Sequence, residues 1–335
     1  MSVGTLHGRK GNQVVALQDP ASFLYCPFDA RISPHSDLIQ ARSIVWARRF
    51  GVCSTEGAFQ KLAAAGIARL VARGFPGGSP EGLQIAADWT TLFCLLDDRT
   101  EAAGLNMIRL AELLSEMTHA YRGVTPRGGD SFSRAMKDLG QRMRATAGDA
   151  WGERFGLILE SLFSAFLWEN VNRSNGIRPS LSAYVTMREQ TVGLHPQFAL
   201  AEITDGIKLS DEEAARPDVQ RLAAMTSRLI GWVNDIFTVD KEQAEGEVHN
   251  LVLVMVEECG MSQAEARHAA VQQHNVELRA FVELEQTVRA SVEPASELVR
   301  YLDMLRAWNR GHLDWARETS RYRAEVAAQR RVGHA

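Results

Sequence analysis

The chain of 335 residues has only four cysteines, Cys26, Cys53, Cys94 and Cys259, and no two of them stand at CxxC spacing. That spacing offers neither a zinc site nor a disulfide framework, and it points to a reducing compartment. Basic charge is not in excess: 37 Lys and Arg stand against 41 Asp and Glu, a formal net charge of −4 at pH 7. No footprint for a nucleic-acid partner follows from that balance. No stretch approaches ~20 uninterrupted apolar residues, so stable membrane insertion is not expected. The first residues, MSVGTLHGRKGNQ, carry no apolar run. No signal peptide is therefore expected, and a cytoplasmic location is. Sustained apolar–polar alternation is missing, and with it any sign of strands. His119, His249 and His312 lack Asp, Glu or Cys companions at metal spacing. His195, beside Pro196, reads as a loop histidine with no role.

What the sequence has in quantity is helical periodicity. Hydrophobic residues make up 45% of it, ample for a large core. Residues 1–22 are polar and Gly-bearing and are expected to be loose. One all-α domain is expected over 23–325, with a C-terminal tail at 326–335. Helices are expected at about 39–50, 56–70, 89–101, 103–121, 131–147, 151–172, 182–191, 251–259, 262–288 and 293–315. Residues 211–244 read as one long helix or two. Gly193 and Pro196 interrupt the helical pattern between them. The turn-rich stretch 74–80, GFPGGSP, lacks the Lys-Ser/Thr ending of a phosphate loop, and no strand precedes it.

Two stretches carry chemistry. WTTLFCLLDDRTE, 89–101, is apolar until it ends in Asp97, Asp98 and Glu101. On a helix both aspartates lie near Glu101, and like charges that close repel. The bland reading is an acidic, solvated helix end. The alternative is a divalent cation that reverses the sign of the repulsion, and oxygen-only ligands suit Mg2+. WVNDIFTVDKE, 232–242, sets Asn234, Thr238 and Glu242 at i, i+4, i+8. Each four-residue step turns about 40°, so an amide oxygen, a hydroxyl and a carboxylate share one side. Lys241 stands beside them as a point charge for phosphate.

This pair of stretches resembles the bacterial class I terpene synthases. Asp97-Asp98-x-x-Glu101 is similar to that family's aspartate-rich motif, with Glu101 in place of the commoner Asp. Asn234, Thr238 and Glu242, with Lys241 before the Glu, are similar to its second metal motif. Arg188 in YVTMREQTVG resembles the pyrophosphate-sensing arginine. Thr191 and Val192 resemble the linker positions that follow it, and Gly193 comes next. Arg321-Tyr322 resembles the C-terminal Arg-Tyr pair, preceded in order by Trp308, Gly311 and Trp315. CPFDARISPH resembles the family's N-terminal segment. The resemblance covers nearly the whole chain.

The resemblance implies a helical bundle around a central cavity. It implies a linear prenyl diphosphate as substrate, most readily farnesyl diphosphate, in a sesquiterpene synthase. Three Mg2+ ions would be cofactors, with Mn2+ as a substitute, and the chain would be a monomer or a homodimer. Arg188, Lys241, Arg321 and Tyr322 would hold the diphosphate. Asp98 either binds metal or holds an arginine, and Glu101 reaches a metal directly, through water or not at all. The C-terminal Arg-Tyr segment and the loop after Glu242 would order around the bound diphosphate. The allylic cation left behind needs aromatic faces. Phe93 and Trp308 are the candidates by position, Phe198 a further one, and Trp232 is assigned to core packing. Two other readings stay open: a chain-elongating prenyltransferase, which would need a second aspartate-rich motif where the triad stands, and a non-catalytic helical binding protein.

Overall fold

Both motif-bearing helices begin where the local sequence can start a helix. Pro80 opens one of them, where a missing N–H costs nothing. The Ser79 hydroxyl there accepts from the Gly82 N–H at 3.1 Å. Pro217 opens the other. The structure is a computed structural model. It describes residues 20–102 and 106–322. The expected tail from 326 and all but the end of the expected N-terminal segment lie outside the described residues.

Among the described residues there are fourteen α-helices, a short 3-10 helix at Pro20–Phe23, and no strand. The first six helices are α1 (Ser36–Phe50), α2 (Glu56–Ala65), α3 (Ile67–Gly74), α4 (Pro80–Ala102), α5 (Met107–Tyr121) and α6 (Ser131–Ala147). Then come α7 (Asp149–Asn175), α8 (Leu181–Thr191), α9 (Leu194–Thr204) and α10 (Asp211–Ala215). The chain closes with α11 (Pro217–Glu245), α12 (Leu251–Cys259), α13 (Gln263–Ala290) and α14 (Glu297–Glu318). Helix α4 packs against α1, α3, α6 and α9, while α11 packs against α8, α12, α13 and α14. The two motif helices thus face each other across the middle of the bundle.

The expected helix over 56–70 is two helices. Gly66, at φ 62°, ends α2 and starts α3. The Ala65 carbonyl freed by the break is satisfied from α14 and the residue that follows it. Trp315 Nε1 donates to the oxygens of Ala65 and Gly66 at 2.9 and 3.0 Å, and Thr319 Oγ1 donates to Ala65 at 2.8 Å. Residues 211–244 are also two helices, since Arg216 before Pro217 is extended, as a residue preceding proline prefers. The interruption near Pro196 is a sharp turn. Gly193, at φ 75°, separates α8 from α9, and Pro196 sits in the first turn of α9, where no donor is lost. No helix among the described residues is long and apolar enough to cross a membrane.

His274 lies buried in α13, and burial pushes its imidazole down to about 4. The folded chain therefore holds fewer protons than the unfolded chain between that value and the ordinary 6.5. Stability falls as pH drops through this window, by about 1.4 kcal/mol per unit at most. We predict that His274→Gln removes about 1.5 kcal/mol of the acid destabilisation between pH 6.5 and 5. Urea midpoints of both proteins at the two pH values measure this. An unchanged difference would place the acid sensitivity elsewhere.

Candidate active site

The concavity that both motifs line has about 1060 Å³ of space, open mouth included, and lies between α3, α4, α7, α8, α9, α11 and α14. Its mouth is charged and its far end apolar. Asp97, Glu169, Arg188, Asn234, Glu242 and Arg321 line the mouth. Leu70, Phe93, Leu194, Ile230 and Trp308 line the rest.

The seam between α8 and α11 is built on Asp235, which is 0% exposed. Its carboxylate accepts from Arg188 Nη2 at 2.8 Å, from the Leu251 N–H at 3.0 Å and from the Tyr184 hydroxyl. Burial pushes this carboxyl up, against the pull of Arg188 and the three donors. Arg188 in turn stays protonated far above its ordinary range, against the cost of burial, because Asp235 leads the charges around it. The same Nη2 donates to Asn234 Oδ1 at 2.7 Å. Asn234 therefore presents its amide oxygen to Arg188, and its Nδ2 donates to the Tyr322 hydroxyl at 2.7 Å. Thr238 and Glu242 line the cavity one and two helical turns further along α11. Asn250 Nδ2 donates to Glu242 Oε2 at 2.8 Å and to the Asp235 carbonyl at 3.0 Å.

A single turn after α14 ties the two motifs together. Arg321 pairs with Asp98 at 2.6 Å and with Asp97 at 3.2 Å. Asp98 thus holds an arginine. The next residue, Tyr322, meets Asn234 on the other motif and His312 Nε2 at 3.2 Å, with its ring edge-on to Trp315 at 5.1 Å. Lys241 lines the cavity and pairs with Glu245 at 3.6 Å. The side chain of Glu101 lies outside the described residues.

At the apolar end, Phe93 stacks on Phe166 at 5.6 Å. Gly193 fits beneath it: a Cβ there would come within 2.4 Å of the Phe93 ring, and φ is already 75°. Only glycine meets both conditions without strain. Trp308 is backed in the same way by Gly74, where a Cβ would come within 2.4 Å of the indole. Thr191 and Val192 also line the cavity. Phe198 packs against Tyr301 at 6.5 Å and Trp232 is buried in the core around α12 and α13. Neither is among the cavity-lining residues.

Sequence reasoning passed over several residues that shape this site. Asp235 stands inside the second motif yet turns away from the cavity to hold Arg188. Glu169 of α7 lines the mouth, and burial pushes its carboxyl up. His249 does have a carboxylate companion: its Nδ1 lies 2.8 Å from Glu247, which also pairs with Arg173 at 2.6 Å. Spacing of two residues in a loop gave no signal of this.

The donor set suits a hard divalent cation. Asp97, Asn234, Thr238 and Glu242 offer only oxygen from their acceptor ends. Burial pushes Glu242 up to about 7, with repulsion from Asp235 next. Asp97 is pushed up by burial too, opposed chiefly by Arg321. Carboxyls in that state gain from added positive charge. Among the described residues no three His, Cys, Asp or Glu converge as a ready-made metal cage, so the amide and hydroxyl of the second motif are needed to complete one.

Comparison with known proteins agrees with this geometry. The sequence profile described as "Terpene synthase family 2, C-terminal metal binding" matches residues 88–280. The chain is 32% identical over 321 residues to the (+)-T-muurolol synthase ((2E,6E)-farnesyl diphosphate cyclizing) of Roseiflexus castenholzii, covering 94% of this chain and 98% of that one. It is 30% identical over 305 residues to the germacrene A synthase of Nostoc punctiforme, covering 89% and 94%. The crystal structure of the linalool/nerolidol synthase from Streptomyces clavuligerus superposes with a TM-score of 0.78 at 25% identity, over 88% of this chain and 99% of that chain. The chain belongs to terpene synthase family 2, and it is a terpene synthase, a lyase of prenyl diphosphates, with the all-α class I fold.

Proposed function

We propose that this terpene synthase ionises and cyclises farnesyl diphosphate, with Mg2+ as cofactor, releasing diphosphate and a C15 hydrocarbon or alcohol. The observation that carries the reading is the Arg321-Tyr322 turn. It touches the aspartate-rich helix with one residue and the Asn-Thr-Glu helix with the other, over the mouth of an aromatic-walled cavity. Farnesyl diphosphate is chosen over shorter and longer chains because the muurolol synthase relative is named for cyclising it.

Asp97, Asn234, Thr238 and Glu242 would hold Mg2+, and Asp98 shares Arg321 with Asp97. When bound, the ions supply Lewis-acid neutralisation of the charge that gathers on the leaving diphosphate. The rest falls to the chain. As the carbon–oxygen bond breaks, its electron pair leaves with the diphosphate, and guanidinium groups placed beforehand take up that charge. Arg188 has a donor to spare, since its Nε has no partner among the described residues. Lys241, Arg321 and Tyr322 add donors on the other side. Leu70, Phe93, Leu194 and Trp308 keep water from the cation. The ring faces of Phe93 and Trp308 stabilise it. Thr191 and Val192, at the end of α8, join Arg188 to the turn at Gly193 and so couple diphosphate binding to Phe93.

Two outcomes test this. EDTA should abolish diphosphate release and Mg2+ should restore it. Asp97→Ala and Asn234→Ala should each slow it by about 10³-fold. Near-normal turnover in either variant removes the metal assignment, and calorimetric titration of Mg2+ with inorganic diphosphate reports the same loss without turnover.

The second test separates the leaving group from the cation. Arg188→Lys keeps the charge but not the fork, so it should lower turnover and leave the product profile intact. Trp308→Leu removes the ring face, a contribution of about 0.5–2 kcal/mol. Since about 1.4 kcal/mol between competing barriers is a tenfold change of ratio, this variant should release more acyclic and early-quenched product. Gas chromatography of both decides. Scrambled products from Arg188→Lys with a merely slower Trp308→Leu would reverse the two roles.

A further inference from the structure

Among the described residues, five buried polar atoms on cavity-lining side chains have no partner: Arg188 Nε, Thr191 Oγ1, Gln197 Oε1, Trp308 Nε1 and His312 Nδ1. They differ in what they can offer a cation. The arginine and indole nitrogens carry hydrogen and present a positive end. The threonine hydroxyl can turn either way, and the histidine nitrogen depends on the tautomer. Gln197 Oε1 is an acceptor in every state.

Its orientation is also settled. Gln197 is 3% exposed, on α9 just after the Gly193 turn. Its Nε2 lies 2.8 Å from Thr90 Oγ1. Thr90 has a single hydroxyl hydrogen, and that hydrogen is given to the Ala86 carbonyl at 2.6 Å. Thr90 can therefore only accept from Gln197, so the amide nitrogen must face it. A flipped amide would set two acceptors against each other. The oxygen is left as the free end of a held dipole, on a residue that lines the cavity together with Phe93, Leu194 and Trp308. A buried acceptor with no donor is destabilising to the fold, and nothing in the packing of α9 requires one.

We propose that Gln197 is a specificity-determining residue, whose side-chain oxygen, aimed by Thr90, steers the carbocation toward intermediates that carry their charge beside it. The inference rests on the cyclisation reading above and deepens it. Gln197 forms no covalent bond and takes no proton here. It lowers the barriers leading to one cation relative to its isomers.

The experiment compares Gln197→Leu, Gln197→Met and Thr90→Val with the unsubstituted chain on geranyl, farnesyl and geranylgeranyl diphosphate. Products are read by gas chromatography, diphosphate release by a coupled assay, and thermal midpoints alongside. In Gln197→Leu the ratio of the two main products should shift by about tenfold or more, a larger factor than the slowing of diphosphate release. Gln197→Met should shift the ratio in the same direction, which keeps the test open should the leucine variant fold poorly. Thr90→Val keeps the oxygen but frees the amide, so its ratio should lie between. Thermal midpoints should hold or rise, because an unpaired acceptor has been removed. An unchanged ratio in both Gln197 variants overturns the proposal. So does a lowered midpoint with release and all products falling in parallel, which marks a structural residue. Failure of the underlying reading looks different: the unsubstituted chain then releases no diphosphate from any of the three substrates.

Discussion

A carboxylate fully out of water must be met by charge and donors, and the site is assembled around that requirement at Asp235. It joins three helices: Asp235 on α11 meets Arg188 and Tyr184 from α8 and the first N–H of α12. Breaking such a group away from its partners leaves an uncompensated buried charge, which costs about 3–5 kcal/mol. The angle at which Arg188 enters the cavity is thus part of the fold. Asn234 inherits its amide orientation from Arg188, and Tyr322 inherits its position from Asn234. One buried ion pair orders a line of side chains from the core to the mouth.

At the mouth the electrostatics run the other way. Asp97, Glu169 and Glu242 hold positions that burial makes unfavourable for charge, and arginines from distant parts of the chain lean on them. Arg321 is 223 residues from Asp98 in sequence. The carboxylates draw cations in and the guanidinium groups draw an anion in, so each invites the other's ligand. On the proposed reading, a diphosphate with its metal ions would satisfy both sets together.

The faces of the two motifs were legible in the sequence because they depend on spacing within one helix. Asn234, Thr238 and Glu242 need only a continuous helical turn to align. The split at Gly66 was not legible, since the Ala65 carbonyl it frees is capped by Trp315 and Thr319, some 250 residues away. Spacing within the motif assigned Asp235 no role of its own, although one step around the helix places it against α8 and α12. Gln197 gave no local signal at all. Its meaning comes from Thr90, 107 residues earlier, and from which hydrogen that threonine has already committed. Periodicity reveals what one element displays, and only packing reveals what two elements hold between them.

The glycines behind Phe93 and Trp308 bear on how this chain can change over generations. With a ring 2.4 Å from where any Cβ would stand, neither Gly193 nor Gly74 can drift by the small steps that most positions tolerate. The outer layer of the wall is closed to gradual variation, and novelty must enter from the inner surface. Leu70, Leu194 and Ile230 border open space. Exchanges of size among those aliphatic residues are therefore the accessible route by which a lineage founded on this chain would acquire new ring systems.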